Sequence, residues 1–589
     1  MPASRSASTA RHPRPQTASG DPIASTRRAS AWSLVATAVA LACCLDPLAA
    51  QTVPPRLPSA AEPGREPLRP VMPQPSLAAP QVKVPESAAS QAPAGSEALR
   101  FVLKDLAIEG ATAYSAEALR PLYQGLLGRE LSVADAFEVA RQIELRYRND
   151  GYVTSRVIVP EQTVEDGRFR IVVVEGVVTE LSFDADIGPA RAAVERLLQP
   201  LRGVKPIRLA EIERRLLLAN DLPGMTVRAS LEPSPTVLGG SRIVVRAQRR
   251  ADDTSVSVGN RNSPYLGSAE MGATHAWNAF GARADRVSLN VRASAPLERS
   301  ASVGLSYDAL VSDNGLTAGA SALYAVSRPG RELAALDVKS RVASVSGSLT
   351  YPLIRSREEN LRAVGTFDLR NVDTDIAGTG FTRDRLRVLR MGLSYDRSDT
   401  WDGITAVRAT LHQGLTMFGA SDQGSARASR VNGDPGFLKL TLDLTRLQQL
   451  GERTSLVATM TSQYSHRALL ASEEFGLGGA SFGRGYDEGE LSADRGAAAS
   501  LELRYAPRLP ELLPKGGHVY AFADGGRLWA SGNGVQVTQR SLASAGGGAR
   551  ATLGSLVFAT LEIAKPLSQP VRTRGNTHPR AFVSLNASF

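Results

Sequence analysis

The chain has almost no cysteine. Of its 589 residues only Cys43 and Cys44 carry a thiol, and both lie in the first fifty. Without that leader the chain can hold no disulfide, no thiolate nucleophile and no cysteine-ligated metal. Histidine is nearly as scarce. His12, His275, His412, His466, His518 and His578 are dispersed, with no ligand spacing such as His-x-x-x-His. No paired acid stands apart from solvated charge, and no Gly-Lys-Ser/Thr closes a phosphate loop. The sequence therefore offers no catalytic residue, metal site or cofactor site, and it reads as a non-enzyme. The net charge of +10 is spread along the chain, without Lys/Arg blocks interleaved with aromatics, which argues against nucleic acid as a partner. Long apolar runs are missing as well. The one in "AWSLVATAVALACC" falls short of the roughly 20 residues a spanning helix needs.

What is present falls into four textures. Residues 1–50 carry Arg5, Arg11, Arg14, Arg27 and Arg28, then the short apolar run, then "LDPLAAQT". That order is a secretory signal peptide with cleavage after Ala50. Residues 51–98 are rich in Pro, Ala, Ser and Gln and read as an extended periplasmic linker. From Leu99 a β-α-α-β-β order appears: "LRFVLKDLAIEG", a helix at "AEALRPLYQGLLG", a second helix after Ser132, and the strands "YVTSRVIVP" and "RFRIVVVEG". Val133, Phe137, Ala140, Ile143 and Tyr147 form the expected buried face of the second helix, Ser132 with Asp135 its cap and Gly151 its stop. The same order returns over 177–250, giving two small α/β modules at 99–176 and 177–250. Each ends its sheet in an edge strand, a template for adding a strand from another chain.

After Ala251 strand alternation takes over. In "LKLTLDL", Leu438, Leu440, Leu442 and Leu444 share one face, opposite Lys439, Thr441 and Asp443. Strand plus connection takes about twenty residues, so 251–589 fits about sixteen antiparallel strands, the pattern of a transmembrane β-barrel. The last strand, "RAFVSLNASF", alternates to its final residue, Phe589, in the manner of an outer-membrane assembly signal. About two thirds of the way along, the region carries "EEFGLGGASFGRGYDEG", with six glycines in and around one Arg-Gly-Tyr. Gly483-Arg484-Gly485 lacks the third glycine of a dinucleotide fingerprint. Such glycine density suits a loop folded into a confined space.

These stretches resemble a known family, the outer-membrane transporters of two-partner secretion (haemolysin secretion/activation proteins). "YRNDGYVTSRVIVPEQTVEDGRFRIVVVEG" is similar to the family's first POTRA domain, and "LPGMTVRASLEP" with "GGSRIVV" to its second. The resemblance marks Gly151, Tyr152, Pro160, Gln162, Gly167, Glu175 and Gly176 as POTRA motif positions. "LLASEEFGLGGASFGRGY" with "LSADRGAAASLELRY" is similar to an inward-folding loop, here 467–495, and "YAFADGGRLW" to a Phe-x-Asp-x-Gly inner-wall strand. Gly483 and Ala493 stand where the family more often has valine and glycine. The resemblance implies a lumenal pair between Arg484, of the Arg484-Gly485-Tyr486 motif, and Asp524, which shares a strand face with Phe522 and Gly526. It implies a mainly β protein, two POTRA modules before a 16-stranded barrel, lodged in the outer membrane among its lipids and inserted by the barrel-assembly machinery. Its partner would be one large secreted β-helical protein: an adhesin, haemolysin or contact-dependent toxin. A barrel-assembly insertase is the alternative, and a passive porin ranks below both.

Overall fold

The computed structural model describes residues 61, 68, 70–72, 92–508, 517–530 and 540–589. The signal peptide expected at 1–50 and most of 51–98 lie outside the described residues.

In the first module, Arg168–Val174 is the central strand, parallel to Asp105–Glu109 and antiparallel to the short Arg156–Ile158. The helix Val133–Asn149 starts on a capping box in which Ser132 and Asp135 satisfy each other's backbone N–H groups. Its buried face is Ala136, Val139, Ala140, Ile143 and Tyr147. Phe137, expected inside, is only partly buried, because the face centred on Val139 and Ile143 meets the sheet. The helix expected over "AEALRPLYQGLLG" is one α-turn, Ala116–Leu119, followed by two 3-10 turns. Pro121 lacks the N–H that an α-helix would need at that point.

The second module repeats the scheme. Gly240–Arg249 is central, between the parallel strand Val177–Phe183 and the antiparallel strand Met225–Pro233. The helices Arg191–Leu198 and Leu209–Asn220 cover one face, burying Val194, Leu197, Ile212 and Leu216.

Sixteen antiparallel strands then close into a barrel, from Asp252–Gly259 to Arg580–Ser588. Closure is what lets such a wall sit in hydrocarbon, since every backbone N–H and C=O finds a neighbour and no edge remains. Leu438, Leu440, Leu442 and Leu444 point outward, between 36% and 49% exposed, while Lys439 is buried inside. The outer wall carries exposed aromatics near both ends: Trp277, Tyr307, Tyr505 and Phe589 towards the modules, and Tyr324, Phe381 and Tyr464 towards the far mouth. Phe589 also helps close the wall, its N–H donating to Thr254 O at 2.8 Å. Most strands have 8 to 14 residues, but Lys339–Arg355, Glu359–Ile376 and Thr379–Asp399 have 17, 18 and 21. Lys339–Arg355 outruns Thr317–Ser327 at the near end, whereas Thr379–Asp399 rises past Gly403–Gly414 at the far mouth through residues 379–387.

The second module is clamped to the near mouth. Its apolar core takes in Ala279, Ala284 and Leu310 from the barrel's turns and strand ends. Arg355, 9% exposed, forks onto Asp221 at 2.7 Å from each oxygen. Arg215 donates to Asp313 O at 2.7 Å and Arg249 to Asn278 O at 3.1 and 3.2 Å.

Candidate functional site

The connection between the strands Thr454–Ser465 and Arg495–Tyr505 does not project into solvent. It turns into the lumen as a small hairpin, Phe475–Leu477 against Leu491–Ala493, with residues 478–490 as its tip. Phe475, Leu477, Phe482, Tyr486 and Leu491 form its own apolar core against Ala498, Leu528, Leu542 and Val571 of the barrel. The glycines serve this confinement. At Gly478, with φ +108°, a Cβ would lie 2.2 Å from Asp487 O; at Gly485 it would lie 2.7 Å from Pro566 N on the wall.

The tip places Arg484 among three carboxylates. Its Nη1 is 2.6 Å from Glu502 Oε2 and 3.4 Å from Glu562 Oε2, and its Nε is 3.3 Å from Asp524 Oδ2. The Nε contact with Asp524 is within ion-pair distance but is not aligned as a hydrogen bond. Asp524 instead accepts the N–H groups of Gly483 at 2.9 Å and Arg484 at 3.3 Å, together with the Ser544 hydroxyl at 2.5 Å. The pair expected from sequence is thus one edge of a larger cluster in which Glu502 holds the charge and Asp524 the loop backbone. Phe522 lies under the Arg484 guanidinium at 4.2 Å, a cation–π contact. Gly526, on the same face, is floored by Leu477. Tyr486 OH lies 2.9 Å from Ser568 Oγ and accepts from the N–H groups of Ser568 and Gln569 at 3.1 and 3.2 Å. Gly485 O accepts from Arg580, whose Nη2 also holds Asp487 at 2.6 Å.

Glu502, Glu562 and Arg580 were missed in the sequence, although each sits at a lumen-facing position of an alternating strand. So was a second set of contacts at the root of the loop. There Glu473, 3% exposed, meets Lys439 Nζ at 2.7 Å and Arg390 Nη2 at 3.0 Å. Arg430 meets Glu474 at 2.9 Å and also pairs with Asp494. The two sets differ in charge pattern. At the root Glu473, Glu474 and Asp494 meet cationic partners, whereas at the tip Arg484 meets carboxylates of the wall beside an Asp487–Arg580 pair of the opposite sense.

The tip also spells Gly-x-Ser-x-Gly over Gly479–Gly483, the letters of a hydrolase nucleophile elbow. No strand-to-helix turn follows, and the Ser481 hydroxyl donates to Leu68 O at 2.7 Å. That contact sets part of 51–98 against the lumen loop, and Ala61 packs with Tyr265, Leu333 and Val338 at the far mouth. These described residues depart from a linker confined to the periplasm.

The POTRA motif positions divide. Gly151, Tyr152, Glu175 and Gly176 meet at the joint between modules. Gly151 O accepts Leu209 N–H at 2.9 Å, Gly176 O accepts Ile207 N–H at 3.1 Å, and Arg208 lies 4.9 Å over the Tyr152 ring. Glu175, 1% exposed, accepts from Thr112 N, Ala113 N, the Thr112 hydroxyl and Tyr147 OH at 2.5–2.9 Å. Pro160, Gln162 and Gly167 are not part of this joint. Gln162 mimics a neighbouring strand by exchanging two 2.8 Å bonds with the Arg170 backbone, Pro160 O accepts from Gln162 at 3.3 Å, and Gly167 O accepts Lys104 N–H at 2.8 Å.

Residues 239–551 match the family described as haemolysin secretion/activation protein ShlB/FhaC/HecB, and residues 101–176 match the ShlB-type POTRA domain. The chain is 24% identical over 470 residues to the outer membrane transporter CdiB of Dickeya dadantii (strain 3937), spanning 75% of this chain and 81% of that one. It is 22% identical over 396 residues to the heme/hemopexin transporter protein HuxB of Haemophilus influenzae (strain 86-028NP), spanning 66% and 69%. The solved structure of CdiB from Escherichia coli shares the fold, with a TM-score of 0.69 at 19% identity over 88% of this chain and 94% of that one.

Two outcomes are expected. Burial alone would raise the Glu175 pKa, but its four donors outweigh that and hold it below its ordinary 4.5. A folded value below the unfolded one contributes stability above about pH 4.5 that is lost as pH falls through the folded value. Amide exchange at Thr112 and Ala113 in the full chain should therefore slow less than the intrinsic rate does on going from about pH 7 to about pH 3, an acid-induced excess. In Glu175→Gln that acid-induced excess should vanish; an equal excess in both proteins would refute the assignment. At the loop root, Glu473→Gln leaves two cations without their shared carboxylate, a loss of about 3–5 kcal/mol for a buried pair. Proteolysis between residues 478 and 490 should then increase while the barrel keeps its heat-modifiable migration.

Proposed function

The chain belongs to the haemolysin secretion/activation family, and from that membership we propose how its parts divide the work of exporting one large exoprotein. It is a two-partner secretion transporter of the bacterial outer membrane, with its POTRA modules in the periplasm. The observation that carries the reading is the lumen loop, held at both ends by buried charge inside a barrel whose near mouth bears two clamped α/β modules.

In this reading the unfolded N-terminal part of the exoprotein docks on the modules, by adding a strand to a sheet edge and by filling apolar surface beside it. The edge strand Met225–Pro233 offers nine residues for this, against three for Arg156–Ile158. The chain then enters the barrel and displaces the tip of the loop, while the root contacts keep the loop attached to its wall. Arg484 works as a latch, Glu502, Asp524 and Glu562 as its keeper, and Tyr486 as a second fastening. No nucleotide is required: folding outside the cell buries apolar surface, is irreversible in practice, and supplies direction. The exoprotein is an adhesin, haemolysin or contact-dependent toxin with a long β-helical body. Phe589 and its strand serve as the signal for the barrel-assembly machinery. The family match favours this reading over an insertase of other barrels, and two periplasmic modules have no use in a passive porin.

Deleting this protein from its host and comparing secreted and outer-membrane proteomes tests the reading. Loss of one large protein from the medium, with other barrels unchanged, is expected. Depletion of many barrels from the membrane would make it an assembly factor instead. Arg484→Ala should lower secretion of that one protein while the barrel still assembles; unchanged secretion would remove Arg484 from the mechanism.

A further inference from the structure

The three long strands change character on their outer face towards the far mouth. Along Lys339–Arg355 the outward residues run Tyr351, Leu349, Val345, Ala343 and then Arg341. Along Thr379–Asp399 they run Leu393, Met391, Leu389 and then Arg387, Arg385 and Arg383. The cross-strand register sets Ala343 opposite Asn371 opposite Arg385, and Arg341 opposite Asp373 opposite Arg383, while Arg387 begins the arginine run two outward positions lower, level with Leu369 and Val345. Tyr324, of the aromatic belt at the far mouth, lies opposite Ala343. Apolar wall thus gives way to arginine at the height where the outer-leaflet headgroups begin.

Two hollows lie on this face, one above the other. The upper, of about 320 Å³, is lined by Tyr324, Arg341, Asn371, Asp373, Arg383 and Arg427, among others. The lower, of about 570 Å³, is apolar and runs down the same strands past Leu349, Tyr351, Gly365, Met391 and Leu393. Arg427 reaches the upper hollow from the loop that covers the free upper edge of Thr379–Asp399, where Arg383 N–H donates to Arg427 O at 2.6 Å. The arginines of this face outnumber its carboxylates. Arg341 meets Asp375 at 2.6 Å, and Arg383 and Arg385 share Asp373 at 3.3 and 2.9 Å. The Arg427 guanidinium pairs with none of the described carboxylates. The side chains of Arg341 and Arg383 are 53% and 59% exposed. Ion pairs this exposed contribute little, so their guanidinium groups are free to turn onto a better acceptor.

We propose that this face binds a phosphorylated glycolipid of the outer leaflet, its phosphate in the upper hollow and an acyl chain in the lower. Planar guanidinium forks match phosphate oxygens in pairs, which a tetrahedral anion at membrane level uses better than a lone carboxylate does. The Tyr324 ring offers a face for a sugar. The lower hollow accounts for the rest of an amphiphile, because it is apolar and continues downward where acyl chains lie. A free phosphate would use only the upper half, and an ordinary acyl chain only the lower. The site lies on the outside of the wall, away from the lumen loop and from the path proposed for the exoprotein, so its failure would leave that path untouched.

The test uses the full chain in nanodiscs containing a bis-phosphorylated lipid A-type glycolipid, with the bound lipid counted by native mass spectrometry after release. The doubly changed Arg383→Gln/Arg427→Gln protein should retain about tenfold less glycolipid, as expected for loss of charged hydrogen bonds. Gly365→Leu, which fills the lower hollow, should reduce retention independently. Asp373→Asn removes a competing internal carboxylate and should raise retention, a gain that misfolding cannot imitate. Unchanged retention in all three variants overturns the proposal. So does equal retention of the dephosphorylated glycolipid, or displacement of the bound lipid by millimolar inorganic phosphate alone.

Discussion

Hydrocarbon offers the backbone no hydrogen-bond partner, and the rest of this molecule follows from that. Sixteen strands must close on one another, so the wall acquires an inside that lipid never touches. Alternation along each strand then sends Leu438, Leu440, Leu442 and Leu444 to lipid and leaves Lys439, Thr441 and Asp443 to the lumen. A polar lumen can hold a folded loop by charge, which an apolar one could not. The cost of burying Arg484 and Glu473 is met only because the wall provides carboxylates at one height and cations at another.

The different charge patterns of the two contact sets favour one way for the loop to sit. Glu473 and Glu474 would face carboxylates if the loop were turned end for end, and Arg484 would face Lys439 and Arg390. Either juxtaposition is repulsive in a partly desolvated interior. The two sets also use different strands. The root draws on Thr379–Asp399 and Leu438–Gln449, while the tip reaches every strand from Arg495–Tyr505 to Arg580–Ser588. The loop therefore ties together two arcs of the wall that are not neighbours in sequence.

How much of this can be read from the amino-acid order depends on the range of the interaction. Alternation in "LKLTLDL" and "YAFADGGRLW" is local, and it was enough to part Leu442 from Asp443 and Asp524 from Ala523, while the resemblance supplied which face was the lumen. The capping box at Ser132 and Asp135 is equally local. Which carboxylate comes nearest Arg484 is not local. It depends on the register of every hairpin from Arg495 onward and on how deep the loop reaches, so Glu502 and Glu562 carried no mark beyond lumen-facing parity. Phe137 was misplaced for a related reason: apolar spacing defines a stripe, but the partner sheet decides which part of the stripe it covers. The break at Pro121 could have been foreseen, since a missing N–H is a property of the residue itself.

The clamp between the second module and the near mouth has a kinetic meaning. Arg355 on Asp221, and an apolar core shared with Ala279, Ala284 and Leu310, leave that module little freedom to swing. In the reading proposed above, a polypeptide captured on it would be tethered at a fixed short distance from the pore. Its next segment would sample the entrance at an effective concentration on the order of millimolar, however dilute the exoprotein is in the periplasm. Capture and entry would then cease to be two independent encounters, the second becoming an intramolecular step whose rate is set by tether length.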